Sequence, residues 1–274
     1  MNIFKYLTLI AVLLCTAGTI EARRAILVTH YGSSDDRTRA LTIDRITADI
    51  AQSFPDYEVR QAYISPVVLR SMERKGLKMD SPLEAILKLR AEGYDSVYVQ
   101  PTTLLDGAET SEVKRVCDST AAFFKLLKCG EALCYSPDDC LQLTEILAQE
   151  PVEAGEAVVY AGHGNLLPST ATYSQLDYML AATGHTAYHV STIEGYPTAS
   201  STITRLKQSN PTVKHVKIIP LLLVCGNHTK VDIAGEFADT LKAAGYGTEV
   251  VFRGLAEVPA VRNLYVERVK ALVE

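Results

Sequence analysis

The sequence predicts an α/β protein of two similar Rossmann-like lobes, each a parallel sheet flanked by helices, with a ligand cleft between them. Three observations carry this. Apolar runs of strand length alternate with segments of helical period along the chain, the β-α-β-α order that builds parallel sheets covered on both faces. The chain also echoes itself: Ala25-Ile26-Leu27-Val28-Thr29-His30-Tyr31-Gly32 matches Ala157-Val158-Val159-Tyr160-Ala161-Gly162-His163-Gly164 at an offset of 132 residues, with Tyr31 opposite His163. A second echo sets Pro101 on Pro220, Gly107 on Gly226 and Glu109 on His228. Finally, Gly162-His163-Gly164 and Gly226-Asn227-His228 each follow an apolar run. The carboxyl ends of strands are where open α/β sheets bind ligands.

The elements follow in order. Ala25 to Thr29 reads as a strand. Thr38 to Ser53 reads as an amphipathic helix with Leu41, Ile43, Ile46 and Ile50 among its apolar positions, and Tyr57 to Ala62 as the next strand. Ser81-Pro82-Leu83-Glu84 opens a helix with a cap, a proline in the first turn and a glutamate at the third position, and Glu92-Gly93 closes it. Tyr94 to Gln100 is then a strand, Glu109 to Leu127 a helix and, after a cysteine-bearing stretch, Pro137 to Gln149 another helix. An acidic linker, Glu150 to Glu156, precedes the strand Ala157 to Tyr160. A weaker strand signal covers Ala187 to Thr192, and a strong one covers Val216 to Val224. The lobes therefore divide into residues 23–150 and 151–274.

The first 22 residues read as a cleaved secretory leader: Lys5 gives the positive start, Tyr6 to Leu14 the apolar segment, and Thr16 to Ala22 the small and polar end. The apolar segment is too short for a stable membrane span, which takes about 20 residues. Leu13-Leu14 are too bulky for lipidation at Cys15. The expected location is the periplasm. With a net charge of −5 and no basic tract, nucleic acid is excluded as a partner. Five of the six cysteines lie beyond the leader, an odd number for an oxidising compartment. Cys129, Cys134 and Cys140 are near enough in sequence for one local disulfide, whose two members the spacing leaves open. The same spacing does not match a zinc ribbon. Cys225, three residues before His228, is a soft ligand or a buried thiol. Homo-oligomerisation is left open.

Between the two histidine motifs lies Ile193-Glu194-Gly195-Tyr196-Pro197, at a third expected strand end. Two imidazoles and a carboxylate suit a borderline-soft divalent ion such as cobalt, nickel, iron or zinc. His185, His189 and His215 do not share that placement. Gly32-Ser33-Ser34, with Arg37 and Arg39 nearby, reads either as an anion-binding turn or as a capped helix start.

Leu27-Val28-Thr29-His30-Tyr31-Gly32-Ser33-Ser34, Asp106-Gly107-Ala108-Glu109, Gly162-His163-Gly164, Glu194-Gly195-Tyr196-Pro197 and Gly226-Asn227-His228 together resemble the anaerobic sirohydrochlorin cobaltochelatases of the chelatase superfamily. The resemblance covers essentially the whole chain beyond the leader, with the motifs in family order. It implies a chelatase-like bilobal fold in which His163, Glu194 and His228 surround Co²⁺ as substrate metal, with Ni²⁺, Fe²⁺ or Zn²⁺ as alternatives. It implies His163, His228 and Glu109 as catalytic groups. A tetrapyrrole, either sirohydrochlorin or a related haem or porphyrin, would then meet His30, Tyr31, Gly32, Ser33, Ser34 and Tyr196. Metal insertion asks for such groups, because the ion must lose water and two pyrrole N–H protons must leave, and histidine both ligates and accepts protons near neutrality.

His30 departs from the family's usual small residue and is expected as a third imidazole bordering the cleft or as a cap. Export departs too, since cobalt insertion of this kind belongs to cytoplasmic biosynthesis. A periplasmic tetrapyrrole carrier and a periplasmic metal-binding protein are therefore the competing readings. Asn227-His228-Thr229 is formally a glycosylation acceptor, and a glycan there would block His228, which favours a bacterial periplasm over a eukaryotic secretory route.

Overall fold

The computed structural model describes residues 23–226 and 229–274. The leader expected over residues 1–22, together with Asn227 and His228, lies outside the described residues. The first sheet is built from β1 (Arg24–His30), α1 (Asp36–Leu41), α2 (Ile43–Ser53), β2 (Glu58–Tyr63), α3 (Pro66–Arg74), α4 (Pro82–Ala91), β3 (Ser96–Pro101), α5 (Ala108–Thr120) and β4 (Leu126–Cys129). After α6 (Pro137–Leu147), the second sheet takes β5 (Glu156–Gly164), α7 (Ala171–Ala182), β6 (Tyr188–Glu194), α8 (Ala199–Ser209) and β7 (His215–Pro220). A widened helical segment, Thr229–Phe237, leads into α9 (Ala238–Ala243), β8 (Gly247–Val250) and α10 (Pro259–Val273).

The strand orders are β2-β1-β3-β4 and β6-β5-β7-β8, the same topology twice, and every pairing is parallel. The two sequence echoes are structural. Thr29 pairs with Pro101 in the first sheet and Ala161 with Pro220 in the second, so both offsets survive in the registers. The central strands are near-continuous apolar runs, as burial on both faces requires.

Local chemistry fixes the helix starts. Ser81 and Glu84 form a reciprocal capping box at α4, Ser136 and Asp139 form another at α6, and the Ser65 hydroxyl caps α3 ahead of Pro66. Four sequence expectations need correction. The helix expected over Thr38 to Ser53 breaks at Thr42, whose hydroxyl donates to the Thr38 carbonyl at 2.6 Å and competes with the backbone ladder. The helix expected to reach Leu127 ends as α5 at Thr120, because Leu126–Cys129 pair with Ser96–Val99 as the edge strand β4. The strand expected to run to Val224 stops at Pro220, where proline ends the ladder to β8. Finally, α3, α7, α8, α9, α10 and β8 are not among the elements read from the sequence.

The lobes exchange helices. α6 packs on α7 of the second sheet's layer, and the hydroxyl of Tyr160 in β5 donates to the Leu147 carbonyl at 2.6 Å. α10 returns to the first lobe against α2 and β3. There Arg262, only 9 % exposed, reaches Asp49 through its guanidinium at 2.6 Å and the carbonyls of Ala256 and Glu257 at 3.2 Å. The fully buried Tyr265 donates to the Thr102 carbonyl at 3.3 Å. One apolar cluster accordingly runs through both lobes, from Ile26, Val28 and Ile50 to Val158, Tyr173 and Tyr265. Among the described residues, no helix is long and apolar enough to cross a membrane.

Candidate active site

The carboxyl ends of β5 and β6 meet unusually closely. Gly164 pairs with Glu194, and a Cβ on Gly164, whose φ is +78°, would stand 1.5 Å from the Glu194 carbonyl oxygen. One residue earlier, a Cβ on Gly162 would stand 2.2 Å from the Tyr173 ring. Gly195, with φ +91°, lies against the Asn165 carbonyl in the same way. The Gly-His-Gly motif is thus a steric requirement: glycines let two strand ends and an aromatic ring close around His163. The imidazole is half-buried, and its Nδ1 lies 3.0 Å from the Gly164 carbonyl. A carbonyl only accepts, so in that contact Nδ1 carries the proton and Nε2 the lone pair needed for a ligand or a base.

Tyr173, which sequence reasoning missed, organises this corner. Its hydroxyl accepts the Gly164 N–H at 3.4 Å. Burial pushes the phenol's pKa up, the Gly164 N–H pulls it back, and Cys134 and Glu109 raise it further. Glu109 therefore acts electrostatically on the residue that holds the histidine turn, although it comes from the first lobe. It sits in the first turn of α5 and is exposed. Its neighbour Gly107 approaches Ser169 of the second lobe, with a Cβ position 3.4 Å from the Ser169 hydroxyl. The only sequence signal for Tyr173 was an aromatic at helical spacing, which ordinary packing also produces.

Glu194 and Tyr196 are exposed at the end of β6. Tyr31 is exposed at the end of β1, the position equivalent to His163. The segment after β7 leaves the second lobe: Val224 packs on Ile43, Tyr63 and Met72 of the first lobe. His228, four residues on, lies outside the described residues, whereas the other two expected ligands, His163 and Glu194, are described. Among the described residues, Glu156, His215 and Glu249 are the group whose ligand atoms come within 4.8 Å of one another. That group sits at the opposite, amino-terminal edge of the second sheet, and the Lys217 ammonium stands 3.5 Å from Glu156.

Two expectations at the first strand end are corrected. His30 does not border the cleft. It is fully buried, with Nδ1 2.8 Å from the Thr102 hydroxyl and Nε2 2.9 Å from the Thr47 hydroxyl. Gly32-Ser33-Ser34 is the start of a capped helix: the Asp35 carboxylate accepts the Thr38 N–H at 2.7 Å, and Gly32, at φ +102°, is needed because Tyr63 packs against it. With Asp35 and Asp36 at its start, α1 already carries negative charge where an anion would bind.

Burial lowers the His30 pKa to about 3, and burial lowers that of His189 as well. A depressed folded-state pKa gives stability that is present above the unfolded value near 6.5 and lost as pH falls towards the folded value. Between about pH 6.5 and pH 3, His30 alone is expected to steepen acid destabilisation by up to about 1.4 kcal/mol per pH unit. Chemical denaturation at a series of pH values should show His30→Gln with a shallower slope than wild type. Parallel slopes would remove His30 as the cause.

The match to known proteins is extensive. The model of the cobalt chelatase (CbiK) family matches residues 24–274. A sirohydrochlorin cobaltochelatase of Salmonella typhimurium is 33% identical over 251 residues, 89% of this chain and 94% of that protein. The sirohydrochlorin cobaltochelatase CbiKC of Nitratidesulfovibrio vulgaris is 29% identical over 262 residues, 92% and 91% of the two chains. The structure of SirB from Bacillus subtilis with Fe³⁺ superposes with a TM-score of 0.64 at 16% identity, covering 91% of this chain and 95% of that one, a likeness of fold. Together with these relatives, the two pseudo-symmetric parallel sheets mark an enzyme of the metal-chelatase class. The chain belongs to the cobalt chelatase family.

Proposed function

We propose that this chain is an exported, periplasmic chelatase that inserts Co²⁺ into sirohydrochlorin or a closely related tetrapyrrole. The observation that carries the reading is the His163 turn, in which Nδ1 lies 3.0 Å from the Gly164 carbonyl and β5 ends beside Glu194 of β6. The relatives named above, whose names give sirohydrochlorin as substrate, support it. In this reading His163 and His228 ligate the incoming ion and accept protons, Glu194 is the anionic ligand, and Glu109 relays protons from the first lobe. Tyr31 and Tyr196 offer exposed aromatic surface to the macrocycle.

The chemistry balances without a redox step. The aquo ion exchanges water for imidazole and carboxylate, the two inner N–H protons pass to these bases and then to solvent, and four pyrrole nitrogens take the metal. Weak, exchangeable ligands serve this better than a closed structural site, which would retain the ion. Mixing the purified protein with sirohydrochlorin and Co²⁺, and following the absorption spectrum, tests the proposal. Insertion is expected at least about 10²-fold above the uncatalysed rate, the usual scale of acid–base assistance. The same assay with Ni²⁺, Fe²⁺ and Zn²⁺ ranks the alternative metals. Tight macrocycle binding with no acceleration by any of them would make the protein a carrier instead.

A further inference from the structure

Four cysteines are sorted by the fold into two pairs. Cys117 stands on the buried face of α5 with Val113 and Val116, α5 packs on β4, and Cys129 is the last residue of β4. Cys129 packs against the same apolar cluster that holds Cys117. Cys134 is pinned beyond the end of β3, its N–H donating to the Leu104 carbonyl at 2.9 Å. Cys140 is on the buried face of α6, just past the capping box, and shares with Cys134 the cluster that joins the lobes. All four are thiols here. Their side chains act on each other within the pairs: Cys129 is the foremost influence on Cys117, and Cys134 and Cys140 on one another. Among the described residues neither pair gathers a third His, Cys, Asp or Glu at ligand distance, so neither offers the donor set of a thiolate metal site.

We infer that Cys117 with Cys129, and Cys134 with Cys140, are the partners of two structural disulfides. This differs from the single bond expected among Cys129, Cys134 and Cys140, because β4 carries Cys129 back under α5. Each bond forms by loss of two protons and two electrons, and the oxidant is a disulfide of the oxidised-glutathione or dithiol-oxidase class. In the second pair the Cys140 thiolate attacks the donor disulfide and expels one donor sulfur. Cys134 then attacks the mixed disulfide at Cys140, expels the second donor sulfur, and the two protons end on the reduced donor. Cys117, Cys134 and Cys140 are buried, so exchange precedes the seating of α5 and α6.

The test is to refold the full chain in a glutathione redox buffer, alkylate it in denaturant without reductant, and digest it with trypsin and an acid-residue-specific protease. Cleavage at Lys125, Glu131 and Asp138 separates all four cysteines. Mass spectrometry is expected to find the Cys117 peptide linked to the Cys129 peptide and the Cys134 peptide linked to the Cys140 peptide. Four alkylated cysteines, or a link from Cys129 to Cys134 or Cys140, would overturn the assignment. Reductant should lower the wild-type Tm by roughly 5 °C, on the usual scale for short disulfide loops in a chain of this size. The quadruple variant C117S/C129S/C134S/C140S should not respond to reductant. A wild-type Tm that ignores reductant would deny the bonds a structural role.

Discussion

His163→Ala is expected to slow metal insertion by about 10³-fold, within the range for loss of a positioned acid–base group, while changing tetrapyrrole affinity only a few-fold. The asymmetry follows from the site's construction. The imidazole's Nδ1 donates to the carbonyl of its own neighbour, Gly164, and the glycines that close the turn remain in the variant. The pairing of β5 with β6 and the glycines therefore still hold the strand ends together while the imidazole is lost. Macrocycle binding draws on apolar and aromatic surface, including Tyr31 and Tyr196, which the substitution leaves in place. Single-turnover insertion and a spectroscopic binding titration on the same preparation separate the two effects. A carrier would invert the result, losing haem affinity with the imidazole. Unimpaired insertion in the variant would remove His163 from the chemistry.

The sequence revealed the lobes because the duplication survives in strand registers, which small turn residues enforce. Pro101 and Pro220 end equivalent central strands, and Tyr31 and His163 follow equivalent partners of those prolines. The exchanged helices were not legible in the same way. Periodicity marks a buried face on α10 but does not say which lobe supplies its partner, and that choice rests on Arg262 with Asp49 and on Tyr265 with the Thr102 carbonyl. Edge strands β4 and β8 are short and only half-buried, so their apolar signal is weak. α5 was accordingly read through into β4.

The misplacement of His30 has a physical reason that the internal echo already contained. Alternation along a strand sends neighbouring residues to opposite faces. The echo sets His30 on Gly162, the position that points into the lobe, and sets Tyr31 on His163, the position at the cleft. In the second lobe the Tyr173 ring occupies the space a side chain at 162 would fill. In the first lobe His30 fills that space itself, held by two threonine hydroxyls. Counting histidines near a motif misjudged this residue, whereas the register between the halves assigns it to the interior. Tyr173 was missed for the complementary reason, since nothing in its own segment reveals that a glycine elsewhere, Gly162, makes room for it.

Gly164→Ala should be as damaging as removing the histidine, but by a different route. Two costs coincide at this position. A φ of +78° disfavours any residue with a Cβ by about 1 to 3 kcal/mol, and the new atom would lie 1.5 Å from the Glu194 carbonyl oxygen and 2.9 Å from the Thr192 Cβ. Backbone cannot rotate away as a side-chain tip can, so β5 and β6 must part at the carboxyl ends where Gly164 pairs with Glu194. The Tm is expected to fall by roughly 10 °C, the equivalent of about 3 kcal/mol or more in a chain of this size. Insertion should fall at least about 10²-fold even at temperatures where the variant is folded, since displacement of about 1 Å is enough to lose that much. Gly184→Ala is the matching control. Its φ is +89°, yet nothing lies within 4 Å of its Cβ position, so it carries the conformational strain without the collision. It should lose a few degrees of Tm and keep its insertion rate. Equal behaviour of the two variants would show that positive φ alone governs Gly164, and that the close approach of the two strand ends contributes nothing to the site.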